Sequence, residues 1–144
     1  MITERKISIF DSTMQTITVP VNTFAIMGNG LALAFKNRYP TLYPAYVNAC
    51  KDELFTKEGL FVFNSEDKRI LCFPTKRHWK NPSKIEWIEE GLQLLSLHYA
   101  WYGIESISLP ALGCGQGGLD YELVRALVYR YLDLHPLSVE LIPQ

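Results

Sequence analysis

Between Lys6 and Ile142, short strand-like runs alternate with stretches of helical periodicity, and that alternation leaves few folds open. Runs rich in β-branched residues predict strands over Lys6–Phe10 and Thr16–Val21, the second with Pro20 near its end. Leu60–Asn64 and Arg69–Phe73 read as a strand pair joined by the polar turn Ser65-Glu66-Asp67-Lys68. Ser106–Pro110 and Ser138–Ile142 read as two further strands. Between these runs lie four predicted helices. The first, Leu31–Tyr39, stops before Pro40, and the second covers Tyr43–Glu53. The third is long and opens near Pro82, with Ser83 and Glu86 at capping-box spacing. It places Ile85, Ile88, Leu92, Leu95, Tyr99 and Tyr102 on one face, and Gly103 is its expected stop. The fourth, Tyr121–Leu134, has Leu123, Val124, Leu127, Val128 and Tyr131 as its expected buried stripe. Strands interleaved in this way predict an α/β domain of three layers, with a mixed, largely parallel sheet between helices.

The chain has 144 residues, enough for one domain, and residues 1–144 are read as a single unit with no repeat or linker. A formal net charge of -1 argues against gripping nucleic acid by overall charge, because such binding needs many phosphate neutralisations. Local basic sites remain open. Cys50, Cys72 and Cys114 are odd in number and far apart, with no zinc-like spacing to any histidine. A reducing, cytoplasmic setting is expected, and no metal site is expected. The N-terminal segment lacks a signal-peptide apolar run, and no window reaches the length of a membrane span.

Two loops carry the glycines. One, Asn22 to Gly30, joins a predicted strand to a predicted helix; the other runs Gly113-Cys114-Gly115-Gln116-Gly117-Gly118. Glycines let backbone amides approach a ligand closely, and amides at a helix N-terminus favour negative charge. Ligands of open α/β sheets sit at the carboxyl ends of strands, so two such loops suggest a diphosphate-bearing ligand. Neither loop continues into G-K-[ST], and neither is read as the G-x-G-x-x-G fingerprint that follows the first strand of a dinucleotide-binding βαβ unit. A third feature is the cluster Lys76-Arg77-His78-Trp79-Lys80, followed by Lys84, at the end of a predicted strand. On the residues alone this is either a solvated turn or a site for an anion.

Three stretches, PVNTFAIMGNGLALAFKNRYP, FPTKRHWKNPSKIEWIEEGL and LPALGCGQGGLDYELV, together resemble the macrodomain family, and within it the DarG-like branch. They occur in the family's order and span most of the chain. The resemblance implies an α/β/α sandwich that binds ADP-ribose in a cleft, with no cofactor beyond that ligand. For the DarG-like branch it implies metal-independent hydrolysis of ADP-ribose from a base in DNA, thymidine-linked, reversing a toxin. It casts Lys76 as catalytic, either as a cation near the distal ribose or as a neutral amine attacking C1″. Asn22 would hydrogen-bond the distal ribose; on the residues alone it is equally an Asx-turn residue. Asp11 would accept from the adenine amine, or serve as a turn residue. Met27, Gly28 and Gly30 would line the ribose end. Gly113, Cys114, Gly115, Gln116, Gly117 and Gly118 would cradle the diphosphate through backbone amides, with Cys114 a small loop residue rather than a nucleophile. Arg77, His78, Trp79 and Lys80 are candidate contacts to single-stranded DNA. Asp120 reads as the N-cap of the last helix. Where the family has Met-Gly-Lys-Gly, this chain has Asn29 in place of the lysine. The competing expectations are an ADP-ribose reader without catalysis and a phosphatase for ADP-ribose 1″-phosphate. No membrane partner and no toxin-binding domain are evident in the sequence.

Overall fold

A computed structural model describes all residues, 1–144. Six strands form one sheet: β1 (Ile2–Glu4), β2 (Thr16–Asn22), β3 (Phe61–Asn64), β4 (Arg69–Lys76), β5 (Ser106–Leu109) and β6 (Ser138–Leu141). Their spatial order is β1-β6-β5-β2-β4-β3. Every neighbouring pair is parallel except β3 with β4, a hairpin at one edge. The helices are α1 (Gly30–Arg38), α2 (Leu42–Lys51), α3 (Leu54–Lys57), α4 (Ile85–His98) and α5 (Tyr121–Leu132). No helix is long and apolar enough to cross a membrane.

The three layers follow from the period of two in the strands. In β4, Ile70 and Cys72 face one way and pack with Phe35 of α1, Leu42 and Tyr46 of α2, and Phe55 of α3. Leu71 and Phe73 face the other way and join Ile88, Leu92 and Leu95 of α4 and Val124 and Val128 of α5. Both faces of the sheet are therefore covered, which is why β2 and β4 are buried almost throughout.

Four expectations are corrected. Lys6–Phe10 is not a strand: the Ser8 hydroxyl accepts from the Phe10 amide and turns Ile9–Asp11 into a single 3-10 turn. The edge strand is Ile2–Glu4 instead, only three residues long and without an apolar alternation to reveal it. Ser83 does not cap α4, which begins at Ile85 after an extended Lys84. Leu123 is exposed, so the buried stripe of α5 is Val124, Val128 and Leu132, with Leu127 and Tyr131 packed at its margin. Helix α4 ends at His98, before Gly103; that glycine, at φ +72, closes the turn in which the Ile104 amide donates to the Tyr99 carbonyl.

Candidate functional site

Because β2, β4, β5 and β6 are parallel, their carboxyl ends lie along one edge of the sheet, and the chain leaves each strand there. A cavity of about 380 Å³ occupies that edge. Its walls are Pro20, Val21 and Asn22 from the end of β2, Thr75 and Lys76 from the end of β4, Pro110 and Ala111 after β5, and Ile142, Pro143 and Gln144 after β6. Both glycine loops close it. Ile26, Gly28 and Asn29 of the first loop and the first turn of α1 (Gly30, Leu31, Ala32) form one side. Gly113, Gly115, Gln116 and Gly117 of the second loop form another.

The first loop is organised by Asn22. Its Oδ1 accepts from the amides of Phe24 (2.9 Å) and Ile26 (3.4 Å), and its Nδ2 donates to the Ile26 carbonyl (2.8 Å). This is an Asx-type turn, and it leaves one Nδ2 hydrogen for a ligand. The Tyr46 hydroxyl, buried under the loop, reaches the Asn22 carbonyl and Oδ1. Burial, with Cys50 beside it, pushes that phenol well above its ordinary range, so it stays a donor. The loop also holds Ala25 in the left-handed region at φ +63, where its carbonyl accepts from the Tyr43 hydroxyl (2.9 Å). Such a conformation costs a non-glycine residue roughly 1 kcal/mol or more and persists because its surroundings fix it.

Lys76 is the last residue of β4 and pairs in register with Asn22, the last residue of β2, across a bulge after Val21. Thr23 and Arg77, 54 positions apart in the sequence, lock the strand ends: the Thr23 amide and hydroxyl both donate to the Arg77 carbonyl, at 3.1 and 3.0 Å. The Lys76 ammonium donates to the Trp79 carbonyl (3.3 Å), tying the lysine to the turn that follows β4.

The second loop owes its shape to two close approaches. Gly113, at φ +75, needs the left-handed region. At Gly117 a Cβ would lie 2.4 Å from both the Gly113 carbonyl oxygen and the Ser83 Oγ, so only glycine fits. The Ser83 amide donates to the Gly117 carbonyl (3.0 Å), which is the work that serine's segment performs in place of capping α4. Asp120 accepts from the Glu122 amide (3.0 Å) and is the N-cap of α5; it does not line the cavity.

Among the residues singled out in the sequence, Asn22, Gly28, Gly30, Lys76, Trp79, Gly113, Gly115, Gln116 and Gly117 come together around the cavity. Met27 does not: it is buried in the core beneath the first loop. Cys114 points inward, its thiol near the Leu112 carbonyl, and burial followed by the nearby Asp120 pushes it up to about 11. Gly118 and Arg77, His78 and Lys80 lie outside the wall, and Asp11 is exposed on the 3-10 turn, also outside it. The sequence reading missed the apolar contribution of Ile142 and Pro143 and the place of Gln144, whose Nε2 donates to the Cys114 carbonyl (3.0 Å). An apolar segment following a predicted last strand was the signal for these.

An open α/β sheet with a cavity at the carboxyl edge of its parallel strands, rimmed by two glycine loops and a lysine, defines a protein built to receive a phosphate-bearing ligand. The chain belongs to the macrodomain family: residues 19–128 match the model of the Macro domain. It is 41% identical, over 92% of its length, to a Thermosipho africanus protein named as a DNA ADP-ribosyl transferase–DNA ADP-ribosyl glycohydrolase fusion, and spans 39% of that relative. The solved macrodomain of Thermus aquaticus DarG superimposes with a TM-score of 0.91 at 32% identity, covering 100% of this chain and 98% of the other. Thermosipho africanus DarTG, solved in complex with ADP-ribose, superimposes with a TM-score of 0.93 at 37% identity, over 98% of this chain and 41% of that one.

Proposed function

We propose that this macrodomain binds ADP-ribose in the cavity and hydrolyses the bond between its distal ribose and a base in DNA. The observation that carries the reading is the pairing of Lys76 with Asn22 at adjacent strand ends, in the same cavity wall, with both glycine loops around them. The names of two relatives support it: the Thermosipho africanus fusion and a Thermus aquaticus protein 35% identical to this chain both carry the name DNA ADP-ribosyl glycohydrolase. In this arrangement the amides of the second loop and of the first turn of α1 take the diphosphate, and the free Nδ2 hydrogen of Asn22 takes a hydroxyl of the distal ribose. The apolar residues Val21, Leu31, Ile142 and Pro143 enclose the flat, uncharged parts of the ligand.

Lys76 then stands where the C1″–base bond breaks. As an ammonium it stabilises charge on the departing base and supplies its proton while water adds to C1″. As a free amine it would instead attack C1″, expel the base, and leave an imine that water hydrolyses. Borohydride separates these two, because only the imine is reduced to a stable adduct on Lys76. The reaction belongs in the cytoplasm in this reading, where three unbridged thiols are at home.

The test is release of ADP-ribose from a thymidine-ADP-ribosylated single-stranded oligonucleotide, with calorimetry of free ADP-ribose alongside. Wild type should turn the substrate over, and Lys76→Ala should lose at least about 100-fold in turnover while binding ADP-ribose within a few-fold. Binding without release by wild type would make the protein a reader and sink the hydrolase reading.

A further inference from the structure

The rim of the cavity exposes aromatic rings that the fold does not use. Phe24, in the first glycine loop, is 56% exposed, and Trp79 is 40% exposed. Between them lies His78, its ring 4.6 Å from Phe24 and 5.7 Å from Trp79, stacked on the latter at 22°. Trp79 belongs to the cavity wall and Phe24 lies outside it, so the three rings form a row leading outward from the site.

This row is fixed rather than loose. The Thr23 donations to the Arg77 carbonyl hold Phe24 against the turn that carries His78. The His78 Nδ1 accepts from the Lys80 amide (3.1 Å), which sets the ring's orientation. One cation flanks it: the Lys80 ammonium lies 5.0 Å from the Trp79 ring, whereas Arg77 and Lys84 lie over Trp87 of α4. Residues 74–85 contain no Asp or Glu, and none of the protein's ion pairs involves Lys80, while Arg77 shares a small cavity with Glu90 on α4.

We infer that Phe24, His78 and Trp79 are a stacking platform for the unpaired nucleotides beside the modified base, with Lys80 meeting a phosphate. The inference rests on the reading of the substrate as ADP-ribosylated DNA. Exposed rings beside a lysine suit a single strand, whose bases have free faces; a duplex buries those faces against neighbouring pairs. A peptide would want acceptors and apolar pockets along the rim rather than a row of rings and a lysine. The platform thus makes the enzyme read its substrate beyond the ADP-ribosylated residue itself, without reading sequence.

The experiment compares kcat/KM on a single-stranded pentanucleotide carrying ADP-ribose on its central base with that on the ADP-ribosylated mononucleotide. Wild type should prefer the pentanucleotide by about tenfold or more, the scale of one or two stacked bases. Phe24→Ala should erase most of that preference, and Lys80→Glu should reduce it in a salt-sensitive way. Equal kcat/KM on the two substrates, or a preference that survives in Phe24→Ala, would overturn the platform. So would an ADP-ribosylated peptide that gains as much over the mononucleotide, through Phe24, as the oligonucleotide does. If nothing is cleaved while calorimetry shows ADP-ribose bound, the hydrolase reading is what has failed. The same ratio, measured as Kd by competition, then decides the platform on its own.

Discussion

The hydroxyl of Tyr46 lies 2.6 Å from the backbone carbonyl of Asn22 and 3.0 Å from its side-chain oxygen, joining the middle of α2 to the end of β2 beneath the first glycine loop. With that hydroxyl occupying Oδ1, the amide nitrogen of Asn22 is turned toward Ile26 and the cavity. Tyr46→Phe removes the donor while keeping the ring that packs on Phe55. The variant should lose about 1–2 kcal/mol of stability, because two buried acceptors lose their shared partner. Affinity for ADP-ribose should fall several-fold as the loop loses its orientation. Thermal melts and calorimetry on the same preparation check both; unchanged affinity would separate Asn22 orientation from binding.

The second loop makes a sharper distinction between neighbouring glycines. Gly117→Ala drives a methyl into the Ser83 hydroxyl and the backbone carbonyl of Gly113, which cannot rotate aside, and should cost about 1–3 kcal/mol. A methyl at Gly115 meets nothing within 4 Å, so Gly115→Ala should change the melting temperature little. Differential scanning calorimetry of the two variants checks the contrast, and equal losses would contradict the packing described around Gly117.

Glu4 supplies a pH dependence remote from the site. Hydrogen bonds from Arg125, then from the Tyr129 hydroxyl, hold its carboxyl below the ordinary value of 4.5. A carboxylate depressed on folding contributes stability above its unfolded pKa and loses it as pH falls through the folded value. The melting temperature of wild type should therefore exceed that of Glu4→Gln at pH 7, and the gap should close as pH falls below about 4. Exposure keeps the effect small. Melts across pH 3 to 7 in matched buffers, with pH values chosen around the range given by this linkage, would show a constant gap if the pairing contributed nothing.

Cys114 sits between two glycines of the second loop, where a reactive thiol would be tempting to assume. Its thiol is buried and held up at about 11, so almost none is thiolate at neutral pH. Iodoacetamide at pH 7.5 should leave Cys114 unmodified in the folded protein and alkylate it after unfolding. Peptide mass spectrometry reads the outcome; rapid native labelling would return it to consideration as a nucleophile.

Much of this was legible in the residues because the signals were local. Strand β2, the Arg69 strand, α2 and α5 declare themselves by β-branched runs, helical spacing and a terminal aspartate. Lys76 and Asn22 stand out as ends of strands next to Pro74 and the first loop. What failed depended on partners distant in sequence. Ile2–Glu4 is a strand only because β6 accepts it, pairing Ile2 with Val139. Ser83 looks like a cap by spacing, yet its amide is taken by Gly117, more than thirty residues on, and α4 starts later. Met27 reads as part of a ligand loop, but Phe35 and Tyr46 offer it a dry core. Gln144 gains its place from the Cys114 carbonyl, which no spacing rule anticipates.

The segment from Arg77 to Ser83 is fastened at both ends. Arg77 is gripped by Thr23 of the first loop, and Ser83 grips Gly117 of the second. It therefore acts as a strut between the two sides of the cavity, so that any shift of one loop on taking up its part of a ligand is passed to the other. Two fragments, one nucleotide-like and one ribose-phosphate-like, would consequently assist one another's entry, and by thermodynamic reciprocity to the same degree in either order of addition.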